Sequence, residues 1–351
     1  MSRAGIGLAL AASLVGCGGS TVANICTTTV ADSLCVYVTI PRGATLAAAM
    51  DTLAAHAVVR RRWLFSLYAR ARGLRNSLKS GIYGFETGGR ARWGDVVEAL
   101  ARGRGAMVRF TVPEGLMLTE IADLVTAQFG VPRDSFLAAA RDPRQLRELE
   151  LPDGARDLEG YLYPTTYTIR AHPGAADLVA AMTGAFRARW LPEWRGRLDS
   201  LGLSRHQVVT LASIIQAEVR YAPDRDYVSA VYHNRLRRGM KLQADPTVVY
   251  ALGRRLHRVY ERNLQVRSPY NTYLHAGLPP GPICQPDSAA LRAALFPPAV
   301  PFLYFVAQPD GKHIFSVTFA DHVKAIETVH RQQRAARAPP PPDRRPPAPP
   351  R

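Results

Sequence analysis

Apolar residues recur every third and fourth position along SRHQVVTLASIIQAEVRYAP, residues 204–223, the spacing of one face of an α-helix. Ser204 and Gln207 form a capping box ahead of the apolar run, and Pro223 supplies the stop. At about 100° per residue, Val208, Leu211, Ile214, Ile215 and Val219 share one stripe of an amphipathic helix. Glu218 falls inside that stripe, between Leu211 and Ile214 in projection. Apolar surroundings disfavour its charged form, and so does the negative end of the helix dipole in the last turn. The pattern therefore predicts a carboxyl with a raised pKa, a proton donor near neutral pH. On this helix alone, a glutamate that snorkels to water or pairs with an arginine is the commoner arrangement. Motifs further along the chain shift that balance.

The same reading places the remaining elements. A strand at residues 36–40, the turn Pro41-Arg42-Gly43, helices at 46–55 and 63–72, a strand at 80–85 and an amphipathic helix at 93–102 closed by Gly103 come first. Strand, two helices, strand is the order of a small LysM-type glycan-binding module, and an ordinary α+β lobe shares it. A strand at 108–112 then enters Pro113-Glu114-Gly115 and a helix to about residue 129, followed by a short helix at 134–141. The aromatic segment at 157–164 carries Gly160 and Pro164, which argue for a loop or edge strand. Past the central helix, residues 226–238 form a helix with Gly239 at C′. Asp245 and Pro246 read as N-cap and first helical residue of a helix to Leu252, ended by Gly253. Residues 268–283 are too rich in Pro and Gly for a helix or central strand and form an ordered loop, where binding groups concentrate. Asp287 caps a helix to Phe296, a hairpin joins 302–307 to 313–317, and a last helix covers 319–334.

Composition narrows the class. A chain of 351 residues that is 47% hydrophobic builds a real core, in two domains. The formal charge of +17 is almost all arginine, since the lysines are only Lys79, Lys241, Lys312 and Lys324. Such lopsided usage reflects base-composition bias, so nucleic acid is set aside as a partner, while an anionic envelope or membrane fits equally well. The histidines are scattered and no cysteine pair has metal-ligand spacing, so neither a metal nor a cofactor is expected. Residues 1–23 read as a signal or membrane-anchor segment, because the apolar stretch from Ala4 to Gly16 is short for a bilayer span. Leu14-Val15-Gly16-Cys17 looks like a lipobox that makes Cys17 a lipid-bearing residue, with an ordinary signal-anchor as the alternative. Either one exports the rest of the chain. Cys26 and Cys35 are then close enough for a short-loop disulfide, and Cys284 has no evident partner.

Six segments in order carry a resemblance: LASIIQAE at 211–218, NRL at 234–236, GMKLQADPTVVYALG at 239–253, SPYNTY at 268–273, GLPPGPI at 277–283 and LYFV at 303–306. From about residue 36 to about 330 the chain resembles the endolytic murein transglycosylases, the MltG/YceG-like family. The resemblance implies an α+β fold, with a small LysM-like βααβ subdomain at 36–106 and a mixed α+β catalytic domain at 107–333; the Pro- and Arg-rich composition of 334–351 reads as an extended, disordered tail. It implies an inner-membrane enzyme, anchored by its N-terminus and facing the periplasm. Such an enzyme cuts nascent peptidoglycan between N-acetylmuramic acid and N-acetylglucosamine and leaves 1,6-anhydro ends. Glycan strands are then the partner, with peptidoglycan synthases as candidate protein partners.

The family's catalytic glutamate, the second acid of an E-x-E motif, falls on Glu218. One carboxyl first protonates the glycosidic oxygen and then takes the proton of the muramyl C6 hydroxyl. No water enters, so no second acid is required. Asp245 is expected as cap and substrate-orienting group, with Gln243, Tyr270, Asn271, Thr272 and Tyr273 holding acetamido and hydroxyl functions. Three positions depart from the family pattern: Gln216 for the first acid, Val219 for a threonine and Gln285 for an asparagine. Gln216 projects roughly 160° from Glu218 on the helix, away from any proton transfer. The lipobox-like start departs from the family's usual transmembrane helix. Two rivals stand beside the enzyme reading: a non-catalytic glycan-binding envelope protein and a muramidase that hydrolyses with water.

Overall fold

The computed structural model describes residues 35–41, 43–88, 91–103, 105, 107–170, 172–256 and 259–337. The expected lipidation at Cys17, the Cys26–Cys35 disulfide, the segment 1–23 and the chain beyond residue 337 lie outside the described residues. The chain divides into two compact units, with the division along the sequence between Val108 and Arg109.

In the first unit, β1 (Cys35–Ile40) runs antiparallel to the later β2 (Gly81–Glu86), in register from Cys35 opposite Glu86 to Ile40 opposite Gly81. Between them lie α1 (Leu46–Ala55), α2 (Arg62–Ala71) and the single turn α3 (Leu74–Ser77), and α4 (Trp93–Arg102) follows β2. Two helices were expected between the strands; the third arises where Gly73, at φ 72°, reverses the chain after α2. Thr45 caps α1 by accepting from the Ala48 amide at 3.2 Å. One face of each element closes on Val38, Ile40, Leu53, Phe65, Tyr83, Phe85 and Leu100, all at most 2% exposed.

In the second unit, β3 (Met107–Thr111) pairs with the later β4 (Thr166–Arg170). Between them come α5 (Leu118–Phe129), α6 (Arg133–Ala139) and α7 (Pro143–Glu148), and after β4 come α8 (Ala175–Arg189) and α9 (Arg195–Leu201). The central helix is α10 (Arg205–Glu218), followed by α11 (Arg225–Arg237), α12 (Asp245–Ala251) and α13 (Ser288–Leu295). The hairpin of β5 (Tyr304–Ala307) and β6 (His313–Ser316) leads into α14 (Phe319–Arg337). Among the described residues the fold is mixed α+β, mainly helical with three two-stranded sheets.

The capping box at Ser204 and Gln207 forms as the pattern predicts. The stripe does not: every residue of α10 from Val208 through Ile215 is buried. This helix packs on α11, α12 and α13, so it is a core helix rather than an amphipathic one. Its small polar residues reach the interior satisfied. The Thr210 hydroxyl donates to the His206 carbonyl at 2.7 Å, and Ser213 donates to the Thr210 carbonyl at 2.7 Å while accepting from the Ile283 amide at 3.0 Å. Each fully buried Leu or Ile here contributes about 1.5–3 kcal/mol. The aromatic segment after Asp157 is core-filling loop: Leu158, Tyr161 and Leu162 are fully buried. Gly160, at φ +83°, is the enabling residue, since a Cβ there would lie 2.4 Å from the Pro282 ring.

Candidate active site

Four elements bring one charged group together. Glu218 is the last residue of α10, Tyr232 and Arg235 stand one turn apart on α11, Asp245 opens α12, and Tyr273 lies in the long loop before α13. Helix α10 ends at Glu218 because Val219 is extended, with only its amide closing the helix onto the Ile215 carbonyl. The residue is half-buried, yet Oε2 is sealed from water and has no hydrogen-bond partner among the described residues.

Burial, then the negative charge of Asp245, raises the Glu218 pKa from 4.5 to about 7, against the opposing charge of Arg235. The sequence argument expected the direction from burial and the helix end; the like charge of Asp245 is the cause that it lacked. Arg235 is held rigidly. Its Nε donates to the Leu303 carbonyl at 2.7 Å, its Nη1 to the Leu242 carbonyl at 2.7 Å, and its guanidinium lies 5.4 Å from the centre of the Tyr304 ring. Neighbouring Asn234 donates to the carbonyls of Val300 and Phe302 at 2.8 and 2.7 Å. The Asn-Arg-Leu motif thus clamps the chain before β5 and the chain before α12 onto α11. Tyr232, 1% exposed, carries a hydroxyl with no partner among the described residues, and burial together with the Glu218 charge keeps it neutral by raising its pKa far above the usual range.

Asp245 corrects the capping expectation. Helix α12 begins one residue earlier than the pattern suggested, with Ala244 at the N-cap and no side-chain cap. The Asp245 carboxylate instead accepts from the Tyr273 hydroxyl at 2.6 Å, a partner 28 residues away that propensity rules cannot see. Burial and the Asp245 charge in turn raise the Tyr273 pKa, so its proton stays in that bond.

The other expected binding residues separate into two kinds. Asn271 and Thr272 are 0% and 2% exposed and turned inward. Asn271 donates to the Leu264 and Val266 carbonyls at 2.9 Å each and accepts from the Tyr273 amide at 2.9 Å. Thr272 accepts from the Ala244 amide at 3.0 Å and shares a proton with the Thr247 hydroxyl at 2.9 Å. Both side chains brace the loop that carries Tyr273. Gln243 is exposed, and its backbone sits in the left-handed region at φ +50°, a strained conformation for a side-chain-bearing residue. Tyr270 packs on Tyr250 at 4.8 Å between ring centres and feels the charges of Asp157 and Glu159.

Glu159 anchors that second group, and sequence reasoning missed it. It is 5% exposed, and both its oxygens accept from the Leu118 amide at 3.0 Å, closing the N-terminus of α5. Gln285 Nε2 donates to it at 2.6 Å. Burial raises its pKa to about 8, against the pull of the Leu118 amide. The signal available was a single acid inside the apolar and aromatic run LEGYLY. Gln285, noted above only as a departure, also accepts from the Leu162 amide at 2.9 Å, so it ties the aromatic loop to the Pro-rich one. Gln216 accepts from the Asp287 amide at 3.2 Å, and Asp287 accepts from the Ala290 amide at 2.6 Å to cap α13. The buried Cys284 donates to the Ser213 carbonyl at 3.2 Å. Among the described residues no group of three His, Cys, Asp or Glu side chains could hold a metal ion, and no helix is long and apolar enough to cross a membrane.

A carboxyl with a raised pKa, under the charges of a fixed arginine and a hydrogen-bonded aspartate on a mixed α+β scaffold, is chemically able to donate one proton and take one back. The model of the YceG-like family matches residues 38–328, and the chain belongs to that family. It is 31% identical over 306 residues to the endolytic murein transglycosylase of Bacillus subtilis (strain 168), covering 83% of this chain and 84% of that one. It is 29% identical over 317 residues to the endolytic murein transglycosylase of Streptococcus pneumoniae, covering 82% of this chain and 57% of that longer relative. The crystal structure of a YceG-like protein from Listeria monocytogenes superposes with a TM-score of 0.58 at 32% identity, covering 83% of this chain and 98% of that one.

Proposed function

We propose that this chain is an endolytic peptidoglycan lytic transglycosylase in which Glu218 acts first as acid and then as base. One observation carries the reading: a carboxyl with an unpartnered, water-free oxygen and a pKa of about 7, set between Asp245 and Arg235. The protonated form donates to the glycosidic oxygen between N-acetylmuramic acid and N-acetylglucosamine, and an oxocarbenium-like centre develops at C1. The resulting carboxylate, with the Arg235 charge beside it, takes the proton of the muramyl C6 hydroxyl as that oxygen closes on C1. The product is a 1,6-anhydro end, and the carboxyl is restored. Asp245 tunes the acid, Tyr273 fixes Asp245, and Gln243 and Tyr270 contact the glycan.

The first unit is LysM-like in this proposal, with β1 and β2 paired antiparallel and the helices between and after them. A cavity of about 310 Å³ lined by Ile40, Pro41, Gly43, Ala44, Leu78, Lys79 and Ser80 gives a sugar ring room beside two loops. The N-terminus anchors the protein to the bacterial inner membrane, by lipid on Cys17 or by an uncleaved segment, with both units in the periplasm.

Mass spectrometry of glycan released from purified peptidoglycan tests the reaction. The parent protein yields anhydro-muramyl ends, and Glu218→Gln yields none. Reducing muramyl ends would overturn the lyase mechanism, and unchanged turnover by the variant would overturn the site.

A further inference from the structure

Helix α2 shows the solvent a face that a soluble domain ordinarily hides. Trp63 is 69% exposed and Leu67 is 63% exposed, one helical turn apart. With Arg70 they lie within roughly 60° of one another around the helix, while Phe65 and Ala69 on the opposite side pack into the core. The surrounding sequence RRRWLFSLYARARGLR, residues 60–75, holds six arginines and no acid. Arg62 is neutralised by Asp51 at 2.6 Å, and Arg72 lies over the Tyr68 ring at 5.4 Å. Arg60, Arg61, Arg70 and Arg75 are exposed and make no ion pair among the described residues.

We infer that this face of α2 docks on an anionic lipid bilayer, with Trp63 and Leu67 entering the headgroup region and the free guanidinium groups pairing with lipid phosphates. The chemistry selects this occupant. Guanidinium groups alone suit any polyanion, but a soluble polyanion offers nothing for an exposed leucine beside an exposed tryptophan. An amphipathic helix whose apolar residues are flanked by arginines matches a surface that is apolar beneath and anionic above. Indole is also the side chain most at home at that boundary. The surface belongs to the first unit and is independent of Glu218, so it stands or falls apart from the catalytic reading.

The test uses the full chain with vesicles carrying brominated acyl chains, which quench indole fluorescence only within the bilayer. Trp63→Phe serves as the reference that isolates Trp63 from Trp93, Trp190 and Trp194. With vesicles containing phosphatidylglycerol, the Trp63 signal is quenched and recovers when salt is raised to about 0.5 M, where exposed charges are screened. Arg70→Gln with Arg75→Gln lowers the docked-to-undocked ratio of vesicle-bound protein, read from the Trp63 quenching, by roughly 25-fold, taking about fivefold for each charge near an anionic surface. These positions are exposed, so the melting temperature stays unchanged and a loss of binding is not a loss of fold. An unquenched Trp63 on vesicle-bound protein overturns the inference. So does equal quenching by purely zwitterionic vesicles, or retention of the patch by soluble anionic glycan in preference to lipid.

Discussion

Replacing Glu218 by glutamine separates the part proposed for this acid in the reaction from its effect on the fold. Burial and the charge of Asp245 lift the carboxyl pKa from 4.5 to about 7. The unfolded chain releases this proton at the ordinary value, whereas the folded protein holds it until about pH 7. Between those two values the folded state binds the extra proton, so its stability falls as pH rises through the window and levels off above it. At about 1.4 kcal/mol per pH unit, the loss reaches about 3 kcal/mol at pH 8 and stays under about 1 kcal/mol at pH 5. Glutamine keeps the shape and does not ionise. Glu218→Gln is therefore expected to lose all product formation and to be about 3 kcal/mol more stable than the parent at pH 8, with little gain at pH 5. Urea unfolding of both proteins at the two pH values, followed by near-ultraviolet circular dichroism, reads this directly. Glu159, raised to about 8, titrates in both proteins and cancels from the comparison. A stability difference that is the same at both pH values would refute the argument that the fold itself holds the proton on Glu218.

Three further expectations follow from the same geometry. Asp245→Asn removes a negative charge that raises the Glu218 pKa, so the alkaline limb of the pH–rate profile moves to lower pH; an unmoved limb rules out the coupling. Gly160→Ala forces a left-handed alanine against Pro282 and costs about 2–5 kcal/mol by thermal unfolding, whereas Gly154→Ala, with open space around its Cβ, stays within about 0.5 kcal/mol; similar effects of the two refute the steric reading. Tyr232→Phe removes a buried hydroxyl that has no partner and gains about 1 kcal/mol of stability, raising Tm by a few degrees; a fall in Tm means that the hydroxyl is satisfied in solution.

Local signals carried much of the architecture and little of the site's wiring. Helices α1 and α4 lie where the apolar spacing puts them, and Asp287 caps α13 as its position suggests. Helix α8 went unnoticed because Leu178, Val179, Met182 and Phe186 are diluted among alanines, so polar contrast around the helix is weak although those residues are buried. Ser204 to Gln207 correctly marked the start of α10, but burial on every side came from three neighbouring helices, which no single-segment pattern encodes. Glu218 was legible because an acid in an apolar run is conspicuous. Asp245 was misread because Asp-Pro is a strong local capping signal, and a tyrosine from a distant loop claimed the carboxylate instead. Asn271 and Thr272 sit in a loop rich in polar groups, where sequence alone does not distinguish those that face a ligand from those that hold the loop in shape.

The arginine clamp on α11 bears on timing. Arg235 is tied to the backbone carbonyls of Leu303 and Leu242, so it cannot swing toward a charge as that charge appears. In the proposed reaction its field is already in place when Glu218 would surrender a hydrogen, and the new carboxylate would be met without any rearrangement of the protein around it. A lysine there would reach the same spot on a freely turning stem and would have to be recruited at each turnover. The wait for a counter-charge is thereby moved from the reaction to the folding of the chain.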